Sequence, residues 1–360
     1  MKNYFVLKYQ IFLLSITFLF FFYLLGFQYI NFNNYTWLNV GDIAQHQIGW
    51  KFFKNDQWRF PLGLNPNYGI NLGNSIMFTD SIPLFALIFK VFKNFLPNNF
   101  QYFSFWVFLC IYFQLLFSFL IILKKTNNVY FSLIGSIFFI IAPVFLYRSG
   151  IHLSLMGQWL ILLAFYIEIL STKYKSILRG LNIVFSCTIH FYFTIILILF
   201  NFIIQLFRFF EKRELLIKII KETLITYISL IIIMYILGYF SIRPEDGLGG
   251  GYGYYNLNLN SFFNPKSFTY FESFNWSFFL PENKSQNGEY EGFSYLGLGG
   301  FCFLYFLIIN LVNSQYESIF SNKKIITIFF IFFILALSHN VNFGDQNLIL
   351  GKGFAMLWRH

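Results

Sequence analysis

A chain of 360 residues that is 57% hydrophobic and only 11% charged is not an ordinary soluble domain, because such domains carry about 25% charged residues. The net charge of +10 forms no basic stripe in a soluble domain, so we expect no nucleic acid partner and attribute the charge to the positive-inside rule. Apolar runs of about 20 residues recur from end to end, which predicts an all-α polytopic membrane protein with about nine transmembrane helices.

The first apolar run covers residues 11–30 and follows Lys2 and Lys8. At 1.5 Å per residue a helix of this length crosses a hydrocarbon core of about 30 Å. No small-residue cleavage site follows the run, so we predict a retained first span with the N-terminus in the cytoplasm. Residues 31–101 then form a first outer loop.

The first outer loop contains the first long polar segment of the chain, residues 41–83. A helix that starts at Asp42 places His46 one turn further along, on the same face. A carboxylate and an imidazole in this arrangement can share a proton or a metal ion. Two other interpretations stay open: a solvated helix face, and a capping box in which Asp42 is the N-cap and Gln45 closes the box.

Residues 81–96 are apolar but include two lysines and end before a proline. A span here would place the lysines at 124–125 outside, against the positive-inside rule. We therefore predict an amphipathic helix on the outer surface, with Ser81 as N-cap and Pro83 in the first turn.

The later spans are predicted at about 102–123, 130–147, 153–171, 224–241, 294–313 and 325–338. The run 177–207 has 31 residues, about 46 Å if helical, so it is either one strongly tilted helix or two short ones. Counting charges favours two helices, because 14 of the 25 basic residues then lie inside, whereas one helix gives 12 inside and 13 outside.

These spans form a single membrane module over residues 1–360, with a helical core at 102–241 and a second outer loop at 242–293. The glycine-rich stretch 247–253 lacks the Lys and Ser or Thr of a phosphate loop, so it is a hinge or simply flexible. We expect the C-terminal spans, 294–360, to be incomplete, with residues beyond 340 as a partial element. The cysteines lie in apolar runs and indicate buried hydrophobes (Cys110, Cys187 and Cys302).

The order of motifs in the first outer loop is similar to that of a known family. Gly41 and Asp42 soon after the first span, a Pro- and Gly-rich stretch, and FTDSIPLFALIFKVF resemble the first outer loop of the GT-C superfamily of membrane glycosyltransferases. The turn 148–152 after APVFLYR and the segments GYGYYNLNLNSFFNP and EYEGFSYLGLGG fit the same group. The resemblance covers nearly the whole chain and is closest to bacterial multi-pass members of unassigned substrate.

This resemblance implies transfer, with inversion, of a sugar from a polyprenyl-phosphate-type donor on the outer face of a bacterial inner membrane. The acceptor would be a glycan, lipid or protein of the cell envelope. Asp42 matches the family position of the catalytic acid, which acts as general base. Ile43 replaces the second acid of many relatives, so a divalent metal is compatible but not required, and the cofactor stays unknown. Asp80 is the candidate second catalytic carboxylate, or simply a cap of the next helix.

The residues predicted to bind substrate are Gln45, His46, Arg59, Arg148, His152, His190 and Arg243. A guanidinium binds phosphate oxygens bidentately, although snorkelling to the interface is the alternative for each arginine. His152 and His190 are predicted at the outer ends of neighbouring spans, where they can line a donor groove or be satisfied structural histidines.

Two further functional classes compete with a glycosyltransferase. A transporter or lipid flippase of envelope glycan precursors predicts ionisable groups in mid-span and two related halves. Only Glu168 and His190 come near that depth, and the halves show no symmetry. A non-catalytic scaffold in envelope assembly would need no outer acid.

Overall fold

The protein is described by a computed structural model that covers residues 2–39, 41–69, 74–211, 215–241, 255–263, 294–312, 323–344 and 346–349. The described chain is mostly helical. It divides into two compact units, one of Met1–Ile141 with Arg148–Pro244 and the other of Ala142–Tyr147 with Glu245–His360.

The helices up to residue 237 are α1 (Lys2–Leu25), α2 (Gly41–Asn55), α3 (Pro83–Val91), α4 (Phe103–Thr126), α5 (Val129–Ile140), α6 (Pro143–Ile151), α7 (Trp159–Ile169), α8 (Lys175–Ser186), α9 (Phe191–Phe210) and α10 (Leu216–Leu237). All lie in the first unit except the start of α6, which belongs to the second. Short 3-10 helices connect them at Phe27–Ile30, Thr36–Leu38, Ile76–Phe78, Lys93–Phe95 and Leu153–Met156. The strands β1 (Leu64–Asn65) and β2 (Asn74–Ser75) pair antiparallel in the segment that the sequence predicted as the first outer loop.

Among the described residues, three helices are long and apolar enough to cross a membrane: α4, α9 and α10. The number is four if α5 and α6 form one broken span. Tyr9–Leu25 and Leu153–Ile169 are apolar but shorter. These helices indicate a membrane protein, while the nine predicted spans stay a prediction.

The surface of α10 is largely apolar and exposed, which indicates contact with lipid. Isoleucines along the whole helix are exposed, with Ile217 at 76%, Ile228 at 54% and Ile231 at 55%. Soluble monomers rarely expose a continuous apolar surface of this kind. A bilayer removes the cost of exposing such side chains, because its hydrocarbon interior contains no water. A helix can enter that interior because it satisfies its own backbone hydrogen bonds.

The 177–207 run forms two helices, α8 and α9, so the two-helix prediction is confirmed. The break falls at 187–190, where the His190 side chain caps α9 by accepting the Tyr192 backbone N–H (3.2 Å). Glu168, in the last turn of α7, pairs with Arg179 of α8 at 2.8 Å. The two groups that the sequence placed near mid-span, Glu168 and His190, therefore lie at helix ends.

The segment between α1 and α4, which the sequence predicted as the first outer loop, is fixed to the ends of α8 and α10 by backbone hydrogen bonds. The Leu62 N–H donates to the Ile236 carbonyl in the last turn of α10 (2.8 Å), and the Leu84 N–H donates to the Thr188 carbonyl after α8 (2.6 Å). Backbone groups that bond across 100 or more residues hold the loop in one place against these ends.

The predicted continuous helix over 81–96 is wrong in its start and in its length. Helix α3 covers Pro83–Val91, and its N-cap is Ile82, with no side-chain cap. Asp80 and Ile82 have φ values of 54° and 49°, in the left-handed region where a regular helix cannot begin. The Ser81 hydroxyl instead donates to the His46 carbonyl (2.7 Å).

In the second unit, the described helices are α11 (Gly297–Val312) and α12 (Lys323–Leu337), with a 3-10 helix at Leu259–Phe262. An antiparallel hairpin of β3 (Asn340–Phe343) and β4 (Gln346–Ile349) follows, where the sequence predicted an incomplete element. The Asn258 side chain both donates to and accepts from the Gly344 backbone (2.8 and 2.9 Å). Most of the predicted second outer loop, with Arg243 and 247–253, lies outside the described residues.

Candidate functional site

Asp80 is the centre of a cluster of ionisable side chains in the first unit. Its Oδ1 lies 3.0 Å from His190 Nε2, and its Oδ2 lies 3.9 Å from His46 Nε2. The first distance is a hydrogen bond and the second is too long for one. The structure therefore joins the loop before α3 to the start of α9 and to α2.

The hydrogen bonds of His190 fix the tautomer of its ring. Nδ1 accepts the backbone N–H of Tyr192, so this nitrogen carries no proton. Nε2 then carries the proton and donates a hydrogen bond to Asp80 Oδ1. The result is a carboxylate with one oxygen engaged and the other directed towards His46.

His46 lies on α2 and is fully buried, with 0% exposure. Neither of its ring nitrogens has a hydrogen-bond partner among the described residues. Burial lowers the pKa of His46 to about 4, an effect opposed by the charge of Asp80 and reinforced by His152 and His190. At neutral pH the ring is therefore uncharged, with a buried lone pair near a carboxylate.

Asp42 and His152 form the more exposed edge of the cluster. Their Oδ2 and Nε2 atoms lie 3.5 Å apart, and the Asp42 side chain is 53% exposed. The His152 ring lies over that of His46, with centroids 6.4 Å apart and an angle of 29° between the planes. The sequence predicted a pairing of Asp42 with His46, but the structure pairs Asp42 with His152.

Asp80 is held in place by the residues around it. Thr79 and Ser81 share a hydrogen bond of 2.7 Å between their hydroxyls, and the Tyr102 hydroxyl donates to the Ser81 carbonyl. This segment rests directly on Gly49 of α2, where a Cβ would lie 2.5 Å from Thr79 Cβ. Because glycine has no side chain, Gly49 lets the loop approach α2 closely, one turn after His46.

The histidines also set the charge state of Asp80. Burial alone would raise the pKa of this carboxyl, but the His190 hydrogen bond and the electrostatic interactions with His190, His46 and His152 outweigh burial. The pKa of Asp80 is lowered as a result. The site therefore keeps a carboxylate at neutral pH.

The other predicted site residues have separate outcomes. The Gln45 amide donates to the Phe78 carbonyl (3.4 Å) and so does not close a capping box. Arg59 pairs with Asp56 at 2.7 Å rather than with a site carboxylate. Arg148 is partly buried in α6, and its carbonyl accepts the His152 N–H (3.1 Å).

Two tyrosines near Asp80 were not predicted as site residues. Burial raises the pKa of Tyr68 and of Tyr239, and the charge of Asp80 contributes to both shifts. The Tyr239 hydroxyl donates to the Cys187 carbonyl (2.6 Å), beside the turn that carries His190. Tyr68 lies in the polar segment 41–83, whose pattern could have indicated it as a site residue. Tyr239 follows α10, and no local pattern indicates it.

The cluster has the composition of a metal site and of an acid–base site. His46, Asp80 and His152 each offer one ligand atom, and these atoms all lie within 4.8 Å of one another. The more accessible Asp42 lies at the edge, where a carboxylate can take a proton from a substrate.

A family model described as a domain of unknown function, DUF6311, matches residues 14–353. The chain therefore belongs to that family. No curated protein matches the sequence, and no solved structure matches it either.

Proposed function

We propose that this member of the DUF6311 family is an integral-membrane glycosyltransferase that moves a sugar from a polyprenyl-phosphate-type donor to a cell-envelope acceptor. The observation that carries the proposal is the cluster of two carboxylates and three histidines (Asp42, Asp80, His46, His152 and His190) beside the ends of apolar helices. A polar site in this position suits a substrate with a charged head and a lipid tail.

The charge distribution supports an outer position for the site. Four helices have one end near the cluster and basic residues towards the opposite end, namely Lys124 and Lys125 of α4, Lys175 and Arg179 of α8, Arg208 of α9, and Lys218 and Lys221 of α10. The positive-inside rule places these basic ends in the cytoplasm. The cluster then faces the outside of a bacterial inner membrane, where lipid-linked sugars are presented.

In the proposed reaction, Asp42 accepts the proton of the acceptor hydroxyl as its oxygen bonds to the anomeric carbon. The bond from that carbon to the phosphate oxygen breaks, and its electron pair leaves with the phosphate. The charge of Asp80 stabilises the oxocarbenium-like transition state. Arg148, one turn before His152, is the cation proposed for the departing phosphate.

The test is incubation of the purified full chain with a panel of polyprenyl-phosphate sugars and a cell-envelope extract that supplies glycan, lipid and protein acceptors, followed by mass spectrometry of the lipids. We expect loss of one donor and release of its lipid phosphate, dependent on Asp42 and absent in Asp42→Asn. Glu211→Gln, which changes an acid at the far end of α9, is the control and should retain activity. A donor that is moved between leaflets of a vesicle without being consumed would instead support the transporter or flippase alternative.

A further inference from the structure

We propose that His46, Asp80 and His152 bind one divalent transition-metal ion, with Zn²⁺ as the preferred ion, and that His190 positions Asp80 as a ligand. This site does not depend on the reaction proposed above. The three residues come from α2, the loop before α3 and the turn before Leu153–Met156.

The first observation is the unpartnered ring of His46. Its exposure is 0%, and neither nitrogen has a hydrogen-bond partner among the described residues. Buried polar atoms are nearly always satisfied, because each unsatisfied one costs about 1–3 kcal/mol. A metal ion at Nε2, the nitrogen that faces Asp80 Oδ2 at 3.9 Å, would occupy its lone pair.

The second observation is the spacing of the three ligand atoms. Zn²⁺ holds nitrogen and oxygen ligands at about 2.0–2.2 Å, which puts neighbouring ligands of a tetrahedral site about 3.3–3.6 Å apart. The atoms of His46, Asp80 and His152 lie within 4.8 Å of one another. The longest of these separations must shorten by about 1.2–1.5 Å to reach tetrahedral spacing, a change that side-chain rotation can supply.

The third observation is the outer layer around the ligands. Metal-binding carboxylates and histidines are usually oriented by further hydrogen bonds. His190 donates to Asp80 Oδ1 and leaves Oδ2 for the ion.

The ligand chemistry favours a transition-metal ion over Mg²⁺ and Ca²⁺. Imidazole suits Zn²⁺, iron, copper and nickel, whereas Mg²⁺ and Ca²⁺ prefer sites made of oxygen atoms. Two histidines and one carboxylate with an open fourth position match catalytic zinc sites. We therefore expect Zn²⁺ to bind far more tightly than Mg²⁺.

The experiment is a calorimetric titration of Zn²⁺ into the purified full chain after removal of bound metal with a chelator. We expect one ion per chain in the wild type. His46→Gln and His152→Gln should each weaken binding by more than 100-fold, and His190→Gln by about 10–100-fold, the range typical of outer-layer partners. His339→Gln removes one histidine from the second unit and should bind as the wild type does.

A spectroscopic measurement separates a ligand from a structural residue. Co²⁺ in the wild-type site should show the strong visible absorption of a tetrahedral ion, and His152→Gln should lose it. If His46→Gln fails to fold, His152→Gln is the variant that decides, because His152 is partly exposed and its replacement disturbs the packing less. A wild type that binds no Zn²⁺, or wild-type affinity in both folded histidine variants, would overturn the metal site. Because no sugar donor is present, this failure is distinct from failure of the proposed transferase.

Discussion

The five cluster residues were each visible in the sequence, but their partners were not. Helix spacing put Asp42 and His46 on one face, and this local rule suggested that they act together. In the structure each bonds or packs with residues that lie 34 or more positions away, as His46 does with Asp80. Side-chain pairing over such distances depends on how the loop packs on the helices, which no local pattern contains.

Lys90 shows the same limit at another single residue, because the sequence pattern predicted only that it lies on an amphipathic helix. Its side chain is buried, with Nζ 3.8 Å from the Phe53 ring centre and 4.8 Å from that of Trp58. Nζ also donates to the Gln57 carbonyl (3.3 Å). Burial lowers the pKa of Lys90 to about 8, while the charge of Asp56 opposes the shift.

This shift predicts a pH dependence of stability. An unfolded lysine has a pKa near 10.5, so between about pH 8 and 10.5 the unfolded chain binds more protons than the folded one, and stability rises with pH. The full gain is on the order of 2–3 kcal/mol. Melting temperatures of the wild type and Lys90→Met at pH 7.5 and pH 10 check this, with the gain expected only in the wild type. Equal pH responses in both proteins would contradict the assignment.

At the scale of elements, the sequence predicted the α8–α9 pair correctly, but it misplaced the start of α3. The apolar pattern from residue 81 onwards fits a helix equally well with or without its first two residues. What excludes them is the left-handed backbone at Asp80 and Ile82, which is imposed by packing of residues 79–81 on α2. Capping rules could not predict this constraint because it is tertiary.

Gly49→Ala tests that packing. Alanine normally stabilises a helix by about 1 kcal/mol relative to glycine. Here its Cβ would lie 2.5–2.6 Å from Thr79 and Ser81, so we expect a loss of about 1–3 kcal/mol and weaker Zn²⁺ binding as Asp80 moves. Thermal melting and zinc titration measure the two effects.

The control for this variant is Ile48→Ala, at the neighbouring position on the exposed side of α2. Ile48→Ala should change neither the thermal stability nor the affinity for Zn²⁺ by much. A Gly49→Ala protein that is more stable than the wild type and binds Zn²⁺ normally would show that the loop does not depend on the close approach.

At the scale of the molecule, hydropathy predicted the membrane class correctly, and the nine spans stay a prediction. A hydropathy window registers apolar content and does not register backbone breaks, such as those between α5 and α6 or before α7. The described residues therefore contain three or four candidate spans, and the side of the membrane on which each loop lies is a separate prediction.

The proposed orientation can be tested by cysteine labelling in a Cys302→Ser background, since Cys110 and Cys187 are buried. Phe60→Cys, at an exposed position beside the cluster end of α10, should react with a membrane-impermeant maleimide in intact cells. Lys125→Cys, at the end of α4, should react only after lysis. The reverse pattern would put the site in the cytoplasm.

The central claim is that the cluster around Asp80 is a catalytic site for a lipid-linked sugar, and the rate of donor consumption tests it most directly. Once a donor is identified, we expect Asp42→Asn to lower the rate by roughly 10²–10⁴-fold, the usual contribution of a general base, with Glu211→Gln unchanged. A wild type that binds the lipid but consumes no donor, or an Asp42→Asn variant with the wild-type rate, would contradict the account.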